Sequence, residues 1–353
     1  MLFTKKNHLI GLDIGSRTLK VGEIIETRRG GMILNKFGAS TIPDGAIDDG
    51  SVKDPESVAE VIRSLLADQK IREKNVSVSI GGNSVMIKTI HVQNMTDEEL
   101  QEKIHVEAEQ YIPYNIDEVK LDFDILGESS TDANRLEVIL VAAKKEMLTG
   151  YISLIDLAGL NPCVIDVDAL ALQNIYDFSY GMQEDIVVLV DIGFSKITLN
   201  IVKNGRSLLT RGAISSGGVN QIDSMIADRA ACSMEEAEKI KISGISDRMA
   251  SQEISAIITQ ATDEWGIEIR RAIDFFYSSF PDDQIRKILL SGGGANIQGF
   301  KESLAFKTGL DVEIIDPFTN FTLDRRLDSS VLQQFQPQAA ICMGLAIRRI
   351  YDK

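Results

Sequence analysis

The sequence of 353 residues has few of the side chains that cross-link small domains or hold structural metals. Its three cysteines, Cys163, Cys232 and Cys342, are far apart and have apolar neighbours. Its three histidines are isolated, and none stands at metal-ligand spacing from another histidine or a cysteine. These scarcities argue against a disulfide framework and a structural zinc site, and they predict buried, reduced cysteines.

Basic residues are outnumbered by acidic ones, 37 to 52, and long apolar runs are scarce. The formal net charge is −15, which argues against nucleic acid or an anionic lipid surface as the main partner. No apolar run reaches the roughly 18–20 residues that a membrane span needs, and residues 1–7 lack a secretory apolar segment. The composition, with 44% apolar and 25% charged residues, is that of a globular protein. We therefore expect a soluble protein of two or three domain-sized units.

One pattern occurs twice, about half the chain apart. An apolar run ends at Asp13 in an Asp-Ile-Gly tripeptide, a turn follows, and a second β-like run begins at Thr18. The same order recurs at Asp191. In each half, a later strand also runs into glycines, at residues 81–82 and 292–294. Two matches in the same order predict two lobes of similar fold.

Between these features the pattern mixes helices and strands. Residues 89–160 are typical of a small β-α-β-β-α-β unit inserted into the first lobe, and residues 219–280 are mostly helical in pattern. The predicted division is a first-lobe core of residues 1–88, 161–184 and 336–353, an insert of residues 89–160, a second-lobe core of residues 185–216 and 286–335, and a helical subdomain of residues 217–285.

The two hairpins have the features of a phosphate-binding site. Backbone N–H groups in the turn after Asp13 can cradle phosphate oxygens, and Gly15 leaves room for a close approach. Lys20 is placed to reach a terminal phosphate as a point charge. Asp13 and Asp191 are predicted to hold Mg²⁺ between them. One such motif alone is more typical of an ordinary hairpin, whereas two copies predict a polyphosphate held from both sides.

These motifs resemble those of known nucleotide-binding proteins. Residues 13–20 and 191–198 resemble the two phosphate motifs of the actin-like ATPases, and residues 291–296 resemble their adenosine motif. Residues 237–241 resemble a segment of the cell-division protein FtsA, which implies that Glu238 and Lys241 face the ribose and base; an ordinary surface pair on a helix is the alternative. The nucleotide-binding residues so predicted are Asp13, Gly15, Ser16, Arg17, Thr18, Lys20, Asp191, Gly193, Phe194, Ser195, Lys196, Gly217, Gly218, Glu238, Lys241, Gly292, Gly293, Gly294 and Asn296.

Four further segments resemble the PilM family of type IV pilus assembly. They are residues 107–113, 158–162, 166–171 and 339–348, and the resemblance covers essentially the whole chain. It implies an α/β, two-lobed actin-like ATPase (ribonuclease H-like) fold with an FtsA-type inserted subdomain, also called SHS2. It also implies binding of ATP, and capture of the cytoplasmic N-terminal tail of the inner-membrane protein PilN on the first lobe and insert.

The role implied by this resemblance is that of a cytoplasmic adaptor recruited to the inner membrane by its partner and linked to pilus motor ATPases. The aromatic segment Tyr111, Ile112, Pro113 and Tyr114 is the predicted anchor for the PilN tail, because tyrosine and apolar neighbours are typical of peptide grooves. The alternative is that these side chains seal the insert against the first lobe. Two questions stay open: whether the protein forms homo-oligomers, and whether it serves a pilus or a type II secretion machine.

Three departures from the family patterns limit these expectations. Ile197 stands where many superfamily members have threonine, which weakens the predicted grip on phosphate. Asp168, the candidate catalytic residue, stands where relatives often have a glutamate that orients the attacking water, and its shorter side chain predicts slow hydrolysis at best. The sequence stops at Lys353 without an amphipathic membrane helix, so membrane contact is expected only through partners. A sugar or acetate kinase and a filament-forming division protein like FtsA are the alternative functions.

Overall fold

A computed structural model of the protein describes residues 9–27, 30–129, 132, 134–215, 217–350 and 352. Within these ranges the strands, numbered in chain order, are β1 (Ile10–Ile14), β2 (Thr18–Glu26), β3 (Met32–Thr41), β4 (Ile47–Asp48), β5 (Ser51–Val52), β6 (Asn75–Ile80), β7 (Val85–Gln93), β8 (Val119–Glu128), β9 (Arg135–Lys144), β10 (Asn161–Val167), β11 (Ile186–Ile192), β12 (Ile197–Lys203), β13 (Arg206–Ser215), β14 (Ile285–Ser291), β15 (Asp311–Ile314) and β16 (Thr322–Leu323). The α-helices are α1 (Pro55–Asp68), α2 (Asp97–Glu109), α3 (Lys145–Leu157), α4 (Asp168–Tyr180), α5 (Val219–Ala230), α6 (Met234–Ser243), α7 (Ser251–Ser279), α8 (Phe300–Thr308), α9 (Ser329–Phe335) and α10 (Ala340–Ala346). Short 3-10 helices occur at Ile116–Glu118, Gly293–Asn296 and Pro337–Ala339.

Two mixed sheets form the centres of the two lobes. The first has the strand order β3-β2-β1-β6-β10, with β16 beside β3, and the second has the order β13-β12-β11-β14-β15. In both sheets, counted from β3 or β13, the first two pairs are antiparallel and the last two are parallel. Every residue of β1 and β11 is buried, as expected of central strands covered on both faces. The shared order confirms the predicted pair of similar α/β lobes.

Local capping signals place several helices where the sequence pattern predicts them. Asp54 accepts a hydrogen bond from the backbone N–H of Ser57, and Pro55 opens α1. Thr96 and Glu99 form a reciprocal capping box at the start of α2. The predicted helical stretch of the second lobe consists of α5, α6 and the long α7, whose buried stripe packs on the second sheet around Trp265.

The apolar core continues from one lobe into the other through two helices. Helices α4 and α10 pack against each other between the sheets. Their cluster includes Phe37 from the first sheet and Leu189 from the second. Because both sheets pack on the same helix pair, the α4–α10 contact helps to set how the two lobes are placed.

The predicted insert contains a sheet of its own. Strands β7, β9 and β8 pair in that order, and α2 packs on them around Leu100. Strand β7 begins before residue 89, at Val85. Helix α3 lies within residues 89–160 but packs on the first-lobe core through Tyr151 and Leu154, because its apolar face meets α1. The insert sheet therefore adjoins a helix that belongs to the first-lobe core.

The described residues also answer two questions raised by the sequence. All three cysteines are free; Cys342 is buried, whereas Cys163 and Cys232 are only partly buried. Across the described ranges, the helices are too short or too polar to cross a membrane.

Candidate functional site

A cavity of about 960 Å³ opens where the two Asp-Ile-Gly hairpins face each other. The turn after β1 meets the turn after β11, and the Oγ atoms of Ser16 and Ser195 are 2.8 Å apart. The volume lies within the range of roughly 300–1,000 Å³ that is typical of small-molecule and cofactor sites. The tertiary structure thus joins two motifs that are distant in sequence into one site.

Most of the predicted nucleotide-binding residues line this cavity. Those that do are Asp13, Gly15, Ser16, Arg17, Thr18, Lys20, Asp191, Gly193, Phe194, Ser195, Lys196, Glu238, Lys241, Gly292, Gly293 and Asn296, together with the candidate catalytic residue Asp168.

Gly217, Gly218 and Gly294 are not among the lining residues. A Cβ atom on Gly218 would lie 2.1 Å from the carbonyl oxygen of Gly193, and one on Gly294 would lie 2.2 Å from Cγ2 of Ile192. Gly218 and Gly294 therefore allow neighbouring segments to pack closely on the second hairpin and its strand.

Two lysines and three aspartates meet inside the cavity. Nζ of Lys20 donates to Oδ2 of Asp13 at 3.0 Å, and Nζ of Lys196 donates to Oδ2 of Asp168 at 2.8 Å. The Lys196–Asp168 pair joins the two lobes, because Lys196 follows β11 and Asp168 follows β10. Among the described lysines none lies at hydrogen-bond distance from Asp191, which accepts a hydrogen bond from Ser291 Oγ at 2.8 Å.

The carboxyl groups of the cavity differ in their pKa values. Burial raises the pKa of Asp191 to about 6, and the nearby charges of Asp13 and Asp168 act in the same direction. Burial also raises the pKa of Asp13, since it outweighs the opposing charge of Lys20. Burial acts to raise the pKa of Asp168 too, but the charge of Lys196 and the hydrogen bonds from Lys196 and Ser79 outweigh it and hold that pKa below its usual value. The three carboxylates are thus unequal, and Asp168 is the one stabilised as an anion.

Glu238 and Lys241 of α6 do not pair with each other. Glu238 forms an ion pair with Arg17 of the first hairpin, and the Arg17 guanidinium lies 5.9 Å from the centroid of the Phe194 ring. Nζ of Lys241 donates to Oδ2 of the buried Asp223 at 2.8 Å. Glu238 and Lys241 therefore do not form the ordinary surface pair considered from the sequence, and Arg17–Glu238 is a second ion pair across the cavity, after Lys196–Asp168.

Several cavity residues were not predicted from the sequence. An apolar part of the lining comes from the end of α6, the start of α7 and the segment before α8; its members are Ile242, Ile254, Ile258 and Ile297, with Ser255 and Thr259 beside them. Ser79 and Tyr151 line the cavity from the first lobe. The helical spacing of Ile254 and Ile258 was the available signal, but the same spacing is equally typical of core packing.

The aromatic segment after α2 lies outside the cavity. Tyr111 and Tyr114 are partly buried, and each has a lysine Nζ within 5 Å of its ring centroid, from Lys88 and Lys144 respectively. Ile112 is 7% exposed and belongs to the core of the insert.

The hydroxyl of Tyr114 donates to the backbone oxygen of Asn83, in the glycine turn of the first lobe. Tyr114 therefore already contacts the first lobe, and Ile112 supports the segment from inside the insert.

Comparisons with known proteins agree with this architecture. The sequence profile of the type IV pilus assembly protein PilM matches residues 11–350. A solved structure described as a PilM–PilN type IV pilus biogenesis complex contains a chain that is 26% identical, with a TM-score of 0.84 over 98% of this chain and 99% of that one.

Two more distant structures share the fold. The ethanolamine utilization protein EutJ from Carboxydothermus hydrogenoformans has a TM-score of 0.55 at 14% identity, over 96% of this chain and 89% of that one. MreB5 of Spiroplasma citri, solved with AMPPNP, has a TM-score of 0.52 at 12% identity, over 95% and 94%. The predicted actin-like fold is confirmed, and, because the profile spans nearly all of the sequence, the chain belongs to the PilM family of type IV pilus assembly proteins.

Proposed function

We propose that this chain binds ATP with Mg²⁺ in the cavity between its lobes and serves as an adaptor for a PilN tail in type IV pilus assembly. The observation that carries the nucleotide site is the meeting of two phosphate-type hairpins in one cavity, with Lys20 and Lys196 inside it. The lining residues named above are the proposed ligands. The structure of MreB5 with AMPPNP is consistent with this use of the fold.

The residues that line the cavity fit ATP with Mg²⁺. Turn N–H groups and two lysines supply positive potential for phosphates, and the apolar isoleucines supply a surface for a base. Asp13 and Asp191 offer the carboxylate oxygens that Mg²⁺ prefers, and a bound cation would favour their ionised forms despite burial. Within the described residues no cluster of three or more His, Cys, Asp or Glu side chains forms a metal site, so we propose that water and phosphate complete the coordination.

Hydrolysis is expected to be slow. Both oxygens of Asp168 are engaged, Oδ1 by Ser79 Oγ at 2.6 Å and Oδ2 by Lys196. A carboxylate with a lowered pKa is a weak general base, since proton transfer is most effective when the pKa lies near the working pH. The same argument disfavours the sugar or acetate kinase alternative, for which Asp168 was the candidate base.

Nucleotide binding is tested with Lys20→Ala. We expect protein stripped of co-purified nucleotide to bind Mg-ATP at one site per chain in calorimetric titration. Removal of the Lys20 ammonium should weaken binding by about 1–3 kcal/mol, the scale of a contact to a charged group. The matched control is Lys203→Ala, which breaks a 2.9 Å ion pair to Asp283 outside the cavity. Absence of binding by the wild-type protein would refute the nucleotide site.

The partner site is tested with Tyr114→Ala. If the tail of a PilN protein binds beside Tyr114, truncation should weaken binding of a synthetic tail peptide at least tenfold, about 1.4 kcal/mol. Affinity for Mg-ATP should be unchanged, because Tyr114 does not line the cavity. Tyr277→Ala, a partly buried tyrosine of α7 in the second lobe, is the control. Peptide affinity that survives truncation of both Tyr114 and Tyr111 would place the groove elsewhere.

A further inference from the structure

Tyr151 is a buried tyrosine that lines the cavity between the two lobes. It lies in the middle of α3, and its side chain is only 3% exposed. Its ring belongs to the first-lobe core together with Met147 and Leu154. The residue nevertheless lines the cavity with Asp13 and Asp168, so the ring packs in the core while the polar end reaches the site.

The Tyr151 hydroxyl has no partner of its own. Among the residues that the structure describes, none forms a hydrogen bond with it. Buried tyrosine side chains usually place their hydroxyl against a hydrogen-bond partner, and here the cavity is the place from which a partner can come. A phenylalanine would fill the same space in the core without a polar group to satisfy. An unpaired donor that borders a cavity therefore indicates a group that binds a ligand.

The surroundings of this hydroxyl identify the part of the ligand that it would meet. Burial raises the pKa of Tyr151, and the negative charges of Asp168 and Asp13 raise it further, so the phenol stays protonated and can donate. Those two aspartates are the partners of Lys196 and Lys20, the lysines proposed for the phosphates. The isoleucines of α6, α7 and the segment before α8, which are proposed for the base, come instead from the second lobe. Tyr151 thus belongs to the phosphate side of the cavity.

We propose that the Tyr151 hydroxyl donates a hydrogen bond to the terminal phosphate of a bound nucleoside triphosphate and so favours the triphosphate over the diphosphate. The inference rests on the proposed nucleotide function and deepens it. Lys20 and Lys196 must exchange a carboxylate for a phosphate when they bind nucleotide, whereas Tyr151 has no bond to break. The hydrogen bond from Tyr151 therefore strengthens the binding of a triphosphate, and it is lost with a diphosphate, which lacks the terminal phosphate.

The experiment compares Tyr151→Phe with the wild-type protein. Phenylalanine keeps the ring in the core, so the urea midpoint of unfolding should not fall. Dissociation constants are measured by calorimetry for Mg-ATP, Mg-AMPPNP and Mg-ADP. We expect about tenfold weaker binding of both triphosphates, the scale of one hydrogen bond to a charged oxygen, and unchanged binding of Mg-ADP. The matched control is Tyr176→Phe, another tyrosine with 3% exposure, which lies on α4 and does not line the cavity.

The outcomes separate this inference from the proposed function. If the wild-type protein binds no nucleotide, the proposed function fails and the role of Tyr151 fails with it. If the wild-type protein binds nucleotide and Tyr151→Phe leaves all three affinities unchanged, only the role of Tyr151 is overturned. Equal losses for Mg-ATP and Mg-ADP also overturn it, because the hydroxyl would then contact a part that both ligands share.

Discussion

Gly344→Ala should lower the free energy of unfolding by about 3 kcal/mol, the upper range for overpacking a well-packed core. Gly344 lies inside α10, where it crosses α4 between the two sheets. A Cβ atom there would lie 1.8 Å from the backbone oxygen of Ala171. No rotamer change can relieve that overlap, so the two helices must move apart, and both lobes pack on them.

Two further variants test whether the loss of stability in Gly344→Ala comes from the overlap with the Ala171 backbone. Gly150→Ala, inside α3, introduces the same methyl group where no atom lies within 4 Å, and it should stabilise by up to about 1 kcal/mol through helix propensity. Ala171→Gly should not rescue Gly344→Ala, because the overlap is with the Ala171 backbone and not with its methyl group. Urea denaturation followed by circular dichroism measures all of these proteins. Equal stabilities of Gly344→Ala and Gly150→Ala would show that the helices do not approach this closely.

Lys196→Met should destabilise the protein by about 2–4 kcal/mol. The change removes the ammonium that pairs with Asp168 across the lobes and leaves a nearly buried carboxylate without its main counter-charge. Breaking a buried pair by removing one partner typically costs about 3–5 kcal/mol, and the side chains here keep some access to the cavity, which reduces that cost. Methionine retains the length and the apolar stem of lysine, so the packing change is small.

The direction in which the stability of Lys196→Met changes with pH shows whether the unpaired Asp168 carboxylate causes the loss. In the wild-type protein the pKa of Asp168 is below its usual value, so its contribution to stability is present at neutral pH and is lost only as the pH falls through the lowered folded pKa. Without Lys196, burial dominates and raises that pKa, so the ionised carboxylate becomes destabilising above its ordinary titration range. The deficit of Lys196→Met should therefore shrink when the pH is lowered from 7 towards 5.

The double variant Lys196→Met, Asp168→Asn provides the control for this prediction. Removal of both charges leaves no unpaired carboxylate, so it should recover most of the stability lost in Lys196→Met. A deficit that is the same at every pH, and that the double variant does not reduce, would attribute the loss to packing of the lysine stem and not to the ion pair.

Local sequence patterns predicted those features of the fold that neighbouring residues control. The Asp-Ile-Gly tripeptides and the runs on either side of them identified β1–β2 and β11–β12, because an apolar run and a glycine turn act within about ten residues of each other. Asp54 and Thr96 marked the helix starts for the same reason, since a cap satisfies backbone groups of its own first turn. The packing of α3 was missed, because periodicity shows which face of a helix is apolar but not which neighbour covers that face.

The sequence by itself determined the repeated lobes, the two Asp-Ile-Gly turns and about half of the residues that line the cavity. Only the tertiary structure decided how those residues are paired. Arg17 and Glu238 are 221 positions apart, and their contact depends on how α4 and α10 place one lobe against the other. The same holds for Tyr151, whose sequence position is typical of a core residue and which lines the cavity because α3 packs on the first lobe. Contacts between distant segments are set by the summed packing of many residues, which no local pattern encodes.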